Sequence, residues 1–249
     1  MEIVQNLWQV GGGDLTAPED AAIYLLRLGK QAALIDAGCG NAHNRLVDNI
    51  AAVLPGDVQI TYLFITHCHY DHVGGAAALK EQYGCKIVAH QLDAAYLEAG
   101  DSGVTAASWY GTKMQPLAVD HKIEGHKEIF ELGNGNVLAY HCPGHSPGSL
   151  VYLAKLENQK ILFGQDVHGP LDPSLLSDRE DYIRSLKFMK GLRPTSCARG
   201  TSVFIKAVII STNLSNLFCS YQEKNHANSN FVLNCHIMLD AVRSDRFCR

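Results

Sequence analysis

The chain has 249 residues, 47% of them hydrophobic, and a formal net charge of −4; that is enough apolar material for one α/β domain or two small ones. The charge is uneven, with 14 Lys and Arg against 22 Asp and Glu in residues 1–190, and 7 against 3 in residues 191–249. An acidic main body argues against a nucleic-acid surface, and no apolar run is long enough to span a membrane, since Val203 to Ile210 is short and broken by Lys206.

The amino terminus, Met1-Glu2-Ile3-Val4-Gln5-Asn6, has neither the basic nor the apolar region of a secretion signal, so a cytoplasmic protein is expected. Cys39, Cys68, Cys85 and Cys142 are scattered rather than paired by spacing and read as thiols in a reducing compartment. Glu2 to Val10 alternates loosely, as one strand ended by Gly11-Gly12-Gly13. Ala22 to Leu28 and Gln31 to Ile35 form a hairpin across Gly29-Lys30. It leads into Asp36, which either orients a metal ligand from behind or caps the turn. Asn41 to Leu54 is helical by period, and Pro55-Gly56 stops it.

The run Tyr62-Leu63-Phe64-Ile65 reads as a buried strand. It leads directly into Thr66-His67-Cys68-His69-Tyr70-Asp71-His72-Val73-Gly74-Gly75. Residues two apart on an extended segment point to the same side, so His67 and His69 can reach one metal. Asp71 and His72 lie where the chain must turn and can aim at a second position. Imidazole and carboxylate donors suit zinc, iron or manganese. Cys68 faces away and reads as packing. The bland alternative is a solvated polar loop. Gly74 and Gly75 give the backbone room to turn into the next helix.

That helix is expected at Ala76 to Tyr83, followed by a strand at Lys86 to Ala89 and a helix at Gln91 to Glu98. Strand, helix, strand is the unit of an α/β layer. Ala99 to Pro116 is irregular, and its Trp109 and Tyr110 either flap over a site or pack. His90, His121 and His126 read as ordinary histidines without partners. Ile129 to Leu132 and Val137 to His141 are strands around Gly133-Asn134-Gly135. In Cys142-Pro143-Gly144-His145-Ser146-Pro147-Gly148-Ser149, turns on both sides fix His145 as a further ligand. A hairpin from Leu150 to Phe163 then delivers Gly164-Gln165-Asp166, with a carboxylate able to join two metals. His168 either lines the site or faces solvent. Ser177-Asp178-Arg179-Glu180 reads as a capping box opening a helix from Asp181 to Lys190.

Thr-His-x-His-x-Asp-His, Pro-Gly-His-Ser-Pro-Gly-Ser and Phe-Gly-Gln-Asp together resemble the metallo-β-lactamase-fold hydrolase superfamily, in its glyoxalase II and lactonase-like branch, over residues 1–190. The resemblance implies an α/β fold, a four-layer αββα sandwich with metals at one edge. It implies His67, His69 and His145 on a first zinc, Asp71 and His72 on a second, and Asp166 between them. It further implies hydrolysis of a small-molecule ester, thioester, lactone or amide-like substrate. A metal can lower the pKa of water from 15.7 to about 7, and Asp71 is the residue expected to orient that nucleophile and handle its proton. His69 stands where oxygen-reducing diiron relatives carry glutamate, which favours hydrolysis. The alternatives are a single-iron sulfur dioxygenase and a catalytically impaired product.

The impaired product is considered because of residues 191–249. They hold four of the eight cysteines and two of the 22 glycines. The sandwich is expected to be incomplete or irregular there, with an atypical tail that either stays disordered or misfolds. The imidazole that the family adds to the second metal after a further strand is missing; His226 and His236 are the only replacements nearby. A shift of coding frame near Gly191–Arg193 accounts for this. Back-translated with permitted codons and read from the third base of the Arg193 codon, the segment has as one permitted reading Ala-Asp-Ile-Leu-Cys-Glu-Gly-His-Phe-Gly-Val-Tyr, an apolar strand ending in Glu-Gly-His.

Overall fold

Strands occupy Glu2–Val4 (β1), Leu7–Gly11 (β2), Ile23–Leu28 (β3), Gln31–Ile35 (β4), Gln59–Phe64 (β5), Lys86–His90 (β6), His121–Ile123 (β7), Lys127–Leu132 (β8), Gly135–His141 (β9), Leu150–Leu156 (β10), Gln159–Phe163 (β11) and Ser196–Ala198 (β12). Helices occupy His43–Ala51 (α1), Tyr70–Val73 (α2), Ala76–Tyr83 (α3), Gln91–Ala99 (α4) and Arg179–Gly191 (α5). These elements come from a computed structural model that describes residues 1–198 except Gln165 and His168. The expectations for His168, His226, His236 and the segment from residue 199 onward lie outside the described residues.

Two sheets form. The first has the order β1-β2-β3-β4-β5-β6-β7, and the second β12-β11-β10-β9-β8. The first begins as an antiparallel meander and turns parallel from β4 to β7, because α1, α3 and α4 carry the chain back between strands. The second is antiparallel from β8 to β11, and β12 adds a short parallel edge beside β11.

The period of two in each strand sorts side chains into layers. On β3, Ile23 and Leu25 face the layer of Leu46 and Ile50 from α1, Leu79 from α3 and Leu97 from α4. Tyr24, Leu26 and Leu28 face the other way, into a core shared with Leu132, Val137, Tyr152 and Phe163 of the second sheet. Met189 and Leu186 of α5 pack on Val151 and Leu162 on the outer side of that sheet. The result is helix, sheet, sheet, helix: the expected αββα sandwich. Burying one such Leu, Ile or Phe contributes roughly 1.5–3 kcal/mol, so the inter-sheet layer is a main source of stability. Phe64 sits at its centre, with ring centroids 5.1 Å from Phe130 and 4.8 Å from Tyr152.

Local expectations needed correction at several points. The first strand is two strands, broken where Asn6 takes φ 70°. His121 opens β7, a three-residue strand too short to show a period, and its Nε2 lies 2.6 Å from Glu128. Asp178 rather than Ser177 caps α5, accepting from Asp181 N at 2.8 Å. Gly74 and Gly75 are both right-handed, so positive φ is not why they are glycine. A Cβ on Gly74 would sit 2.4 Å from Cys39 O, and one on Gly75 2.4 Å from Ala37 O. Their use is close approach of two backbones. No helix among the described residues is long and apolar enough to cross a membrane.

Candidate metal centre

Just past the end of β5, Thr66 is held from both sheets. Its N–H donates to Asp36 Oδ1 at 2.8 Å, and its carbonyl accepts from Leu150 N at 2.7 Å. The Tyr152 hydroxyl donates to the carbonyl of Ile65 at 2.7 Å. The next residues inherit this fixed position. His67 and His69 project together, with ring centroids 4.4 Å apart, while Cys68 points into the apolar layer beneath, as expected. Burial pushes the Cys68 thiol well above its ordinary value, which keeps it protonated. The chain then coils into α2, which carries Asp71 and His72.

His145 reaches the same place from the loop joining β9 and β10. Its ring centroid lies 4.7 Å from that of His67 and 4.6 Å from that of His69. Glycine is required before it. Gly144 has φ +129°, and a Cβ there would meet Tyr182 N at 2.2 Å. Ser177, freed from the capping role, donates to the His145 carbonyl at 2.7 Å. Asp166 follows β11. Its Oδ1 is 3.5 Å from His72 Nε2 and its Oδ2 is 3.8 Å from His145 Nε2, so the carboxylate faces both clusters. Asp71 Oδ2 is 3.6 Å from His72 Nε2. All six sequence-predicted residues therefore meet. His67, His69 and His145 offer ligand atoms within 4.8 Å of one another, and so do His67, His72 and Asp166.

The rings are held in the tautomers a cation needs. Asp36 Oδ2 lies 2.7 Å from His72 Nδ1, which must carry the proton. Thr66 Oγ1 gives its hydrogen to Asp36 Oδ2 at 2.9 Å and so accepts from His67 Nδ1 at 3.0 Å. His145 Nδ1 donates to Pro170 O at 3.0 Å. Each assignment leaves Nε2 with its lone pair turned inward. Asp36 thus takes the orienting role, in a left-handed conformation at φ 63°.

The site also has the electrostatics of a cation site. His69 Nε2 is buried without a hydrogen-bond partner among the described residues. Burial, then His145 and His72, hold His69 well below its ordinary pKa, so the ring stays neutral and able to coordinate. Burial also opposes charge on His72, but Asp71, Asp36 and Asp166 outweigh it and favour a positive charge there. Burial raises the Asp71 carboxyl, His72 opposes that shift, and Asp166 adds to it. Converging lone pairs and carboxylates out of water repel one another unless a cation sits among them. The donor set of three imidazoles, then imidazole with carboxylates, fits a divalent metal.

The short turn Ala107–Tyr110 sets two exposed aromatics, Trp109 and Tyr110, at 53% and 40% exposure. Burial, followed by the negative charge of Asp71, pushes the Tyr110 phenol up, and its ring packs 5.7 Å from that of Tyr70. His90 and His126, expected to be without partners, instead flank His141: His90 stacks on it at 3.8 Å and His126 lies 6.1 Å away.

Comparison with known proteins agrees with this geometry. The family model described as "Metallo-beta-lactamase superfamily" matches residues 17–195. A protein of Methanocaldococcus jannaschii named "Probable metallo-hydrolase" is 29% identical over 127 residues, 51% of this chain and 59% of that one. The hydroxyacylglutathione hydrolase GloC of Haemophilus influenzae is 32% identical over 139 residues, 55% of this chain and 61% of that one. The chain thus spans less than two thirds of the length of these relatives. Among solved structures, a metallo-beta-lactamase with the HARLDQ motif from Cronobacter sakazakii superposes with a TM-score of 0.66 at 22% identity, covering 80% of this chain and 79% of that one.

Proposed function

Given that the chain belongs to the metallo-beta-lactamase superfamily, we propose that it is a metal-dependent hydrolase acting on a small ester, thioester or lactone. The observation that carries this reading is the convergence of His67, His69 and His145 ligand atoms within 4.8 Å. We assign these three to a first zinc, and His72, Asp71 and Asp166 to a second position. Among the described residues no further imidazole joins the second group, so the second position is the weaker. Iron or manganese suits the same donors.

A bound divalent ion polarises the substrate carbonyl and lowers the pKa of water. The chain's own residues do the rest. Asp71, beside His72, orients the attacking water and accepts its proton. It then passes that proton to the departing oxygen or sulfur as the carbonyl–heteroatom bond breaks. Asp36 keeps His67 and His72 aimed. The name hydroxyacylglutathione hydrolase carried by the Haemophilus relative makes thioesters the first class to assay. A cytoplasmic setting suits the reduced thiols Cys39, Cys68 and Cys85.

The test is metal analysis of the full chain with hydrolysis of generic thioesters, lactones and aryl esters. The expected result is at least one zinc per chain and turnover abolished by chelator and restored by zinc. Less than one metal per chain with no turnover overturns the reading. Iron with oxygen uptake on a persulfide replaces it with a dioxygenase.

A further inference from the structure

Asp93 lies in the first turn of α4 and is fully buried. It is no member of the metal cluster, yet it touches both loops that supply the cluster. Its Oδ2 accepts from the backbone N–H of Cys68 at 2.9 Å, the residue between His67 and His69. The same oxygen accepts from Ser146 Oγ at 2.6 Å, the residue after His145. Its Oδ1 accepts from the backbone N–H of Gly148 at 2.6 Å. Ser146 is locked further, its N–H donating to Ser149 Oγ at 3.0 Å.

Two of these three donors are backbone N–H groups, which cannot reverse their role. They fall on different oxygens, so both oxygens must accept, which is the hydrogen bonding of an ionised carboxylate. Burial raises the Asp93 carboxyl, while the bonds from Ser146, Gly148 and Cys68 oppose that shift. A buried anion with three donors is costly to desolvate, and a neutral residue could fill the same space. What an anion adds is tight, directional bonding to two chain segments at once. Gly148 shows how tight: a Cβ there would lie 2.5 Å from Asp93 N. The two segments come from different sheets, one following β5 and the other joining β9 to β10.

We propose that Asp93 is a positioning residue for the metal centre, fixing the spacing between the His67–His69 pair and His145. This rests on the metal-dependent reading above. Without the carboxylate the two loops keep the Leu150–Thr66 and Tyr152–Ile65 bonds at their bases but lose the tie nearest the imidazoles. The three imidazoles then lose their common centre, and the first position weakens without any ligand being removed.

The test compares the full wild-type chain with Asp93→Asn and Ser146→Ala. Asparagine nearly matches the shape but turns an N–H₂ toward one of the backbone donors. Ser146→Ala deletes one bond and leaves the carboxylate. Zinc affinity is measured by chelator competition, and site geometry by the visible absorption of the cobalt-loaded protein. The expected result is about 10–100-fold weaker zinc for Asp93→Asn, the range for residues that orient ligands, and a smaller loss for Ser146→Ala. Both should show an altered cobalt spectrum with apo-protein circular dichroism unchanged. A purely structural role would lower the melting temperature and leave affinity and spectrum alone, which overturns the proposal. Should Asp93→Asn not fold, unchanged affinity and spectrum in Ser146→Ala overturn it instead. If the wild type itself binds no metal, the hydrolase reading fails first and separately.

Discussion

The Asp36 carboxylate and the His72 imidazole meet at 2.7 Å, closed off from solvent, with Asp36 Oδ2 also receiving Thr66 Oγ1. One oxygen therefore sets the tautomer of His72 directly and of His67 through a hydroxyl. Asp36→Asn keeps a residue tolerant of φ 63° but opposes an amide N–H₂ either to the Thr66 N–H or to the His72 Nδ1–H. Zinc affinity should fall by about 10–100-fold, read by chelator competition. An unchanged affinity would show that the rings need no such support.

His67 belongs to both groups of converging ligand atoms, whereas His69 and His145 belong to one and His72 and Asp166 to the other. With its Nδ1 committed to Thr66, His67 has one lone pair and can hold one ion, so His67→Ala and His69→Ala should each lose the first zinc, whereas His72→Ala should spare it. Metal content per chain after gel filtration checks this. Equal losses in all three variants would count against two separate positions.

His90 and His141 stack with planes 10° apart, and the His126 ring lies 6.1 Å from that of His141. His90 Nδ1 accepts from Leu92 N at 3.3 Å, while its Nε2 is buried without a hydrogen-bond partner among the described residues. Burial first, then His141 and His126, hold its pKa down to about 4. An unfolded His titrates near 6.5, at about which the unfolded chain begins to take up a proton that the folded chain refuses. Stability from this group is complete above that pH and drains as pH falls toward 4, by an amount on the order of 1–3 kcal/mol. His90→Asn retains a helix cap without a titrating ring. Urea unfolding of the apo chain between about pH 7 and pH 5 should show a shallower slope for the variant; identical slopes would refute this.

The shifted coding frame makes a prediction about nucleic acid rather than protein. The gene, read one frame over after Gly191–Arg193, should encode Glu-Gly-His where the chain has Arg199-Gly200-Thr201. A chain made in that frame should hold its second metal more tightly than this one. A nucleotide sequence with no histidine codon across the Gly200–Thr201 junction ends the idea.

The six candidate ligands could be read from the sequence because His67, His69, His145 and Asp166 follow strands closely, where a period of two or a turn fixes which way a side chain points, and Asp71 and His72 come directly after on the short α2. Of the positioning carboxylates, the sequence leaves Asp36 between orienting a ligand and capping a turn, and gives no sign of Asp93. Asp36 lies in a turn whose left-handed backbone its sequence shares with ordinary caps. Asp93 is one acid in a helical stretch, and its partners Cys68, Ser146 and Gly148 are distant in the chain. The same distance hid the pairing of His90 with His141. Ser177 and Asp178 are both good caps, and only the need of the His145 carbonyl for a donor decides which one caps α5. The three residues of β7 carry too little pattern to announce a strand.

His67, His69 and His72 follow a strand of one sheet, whereas His145 and Asp166 follow strands of the other. Any ion seated among them rivets the two halves together, and its binding free energy becomes resistance to unfolding, rising with the logarithm of free metal. The chain's lifetime against heat and proteases is then set partly by how much zinc its surroundings supply.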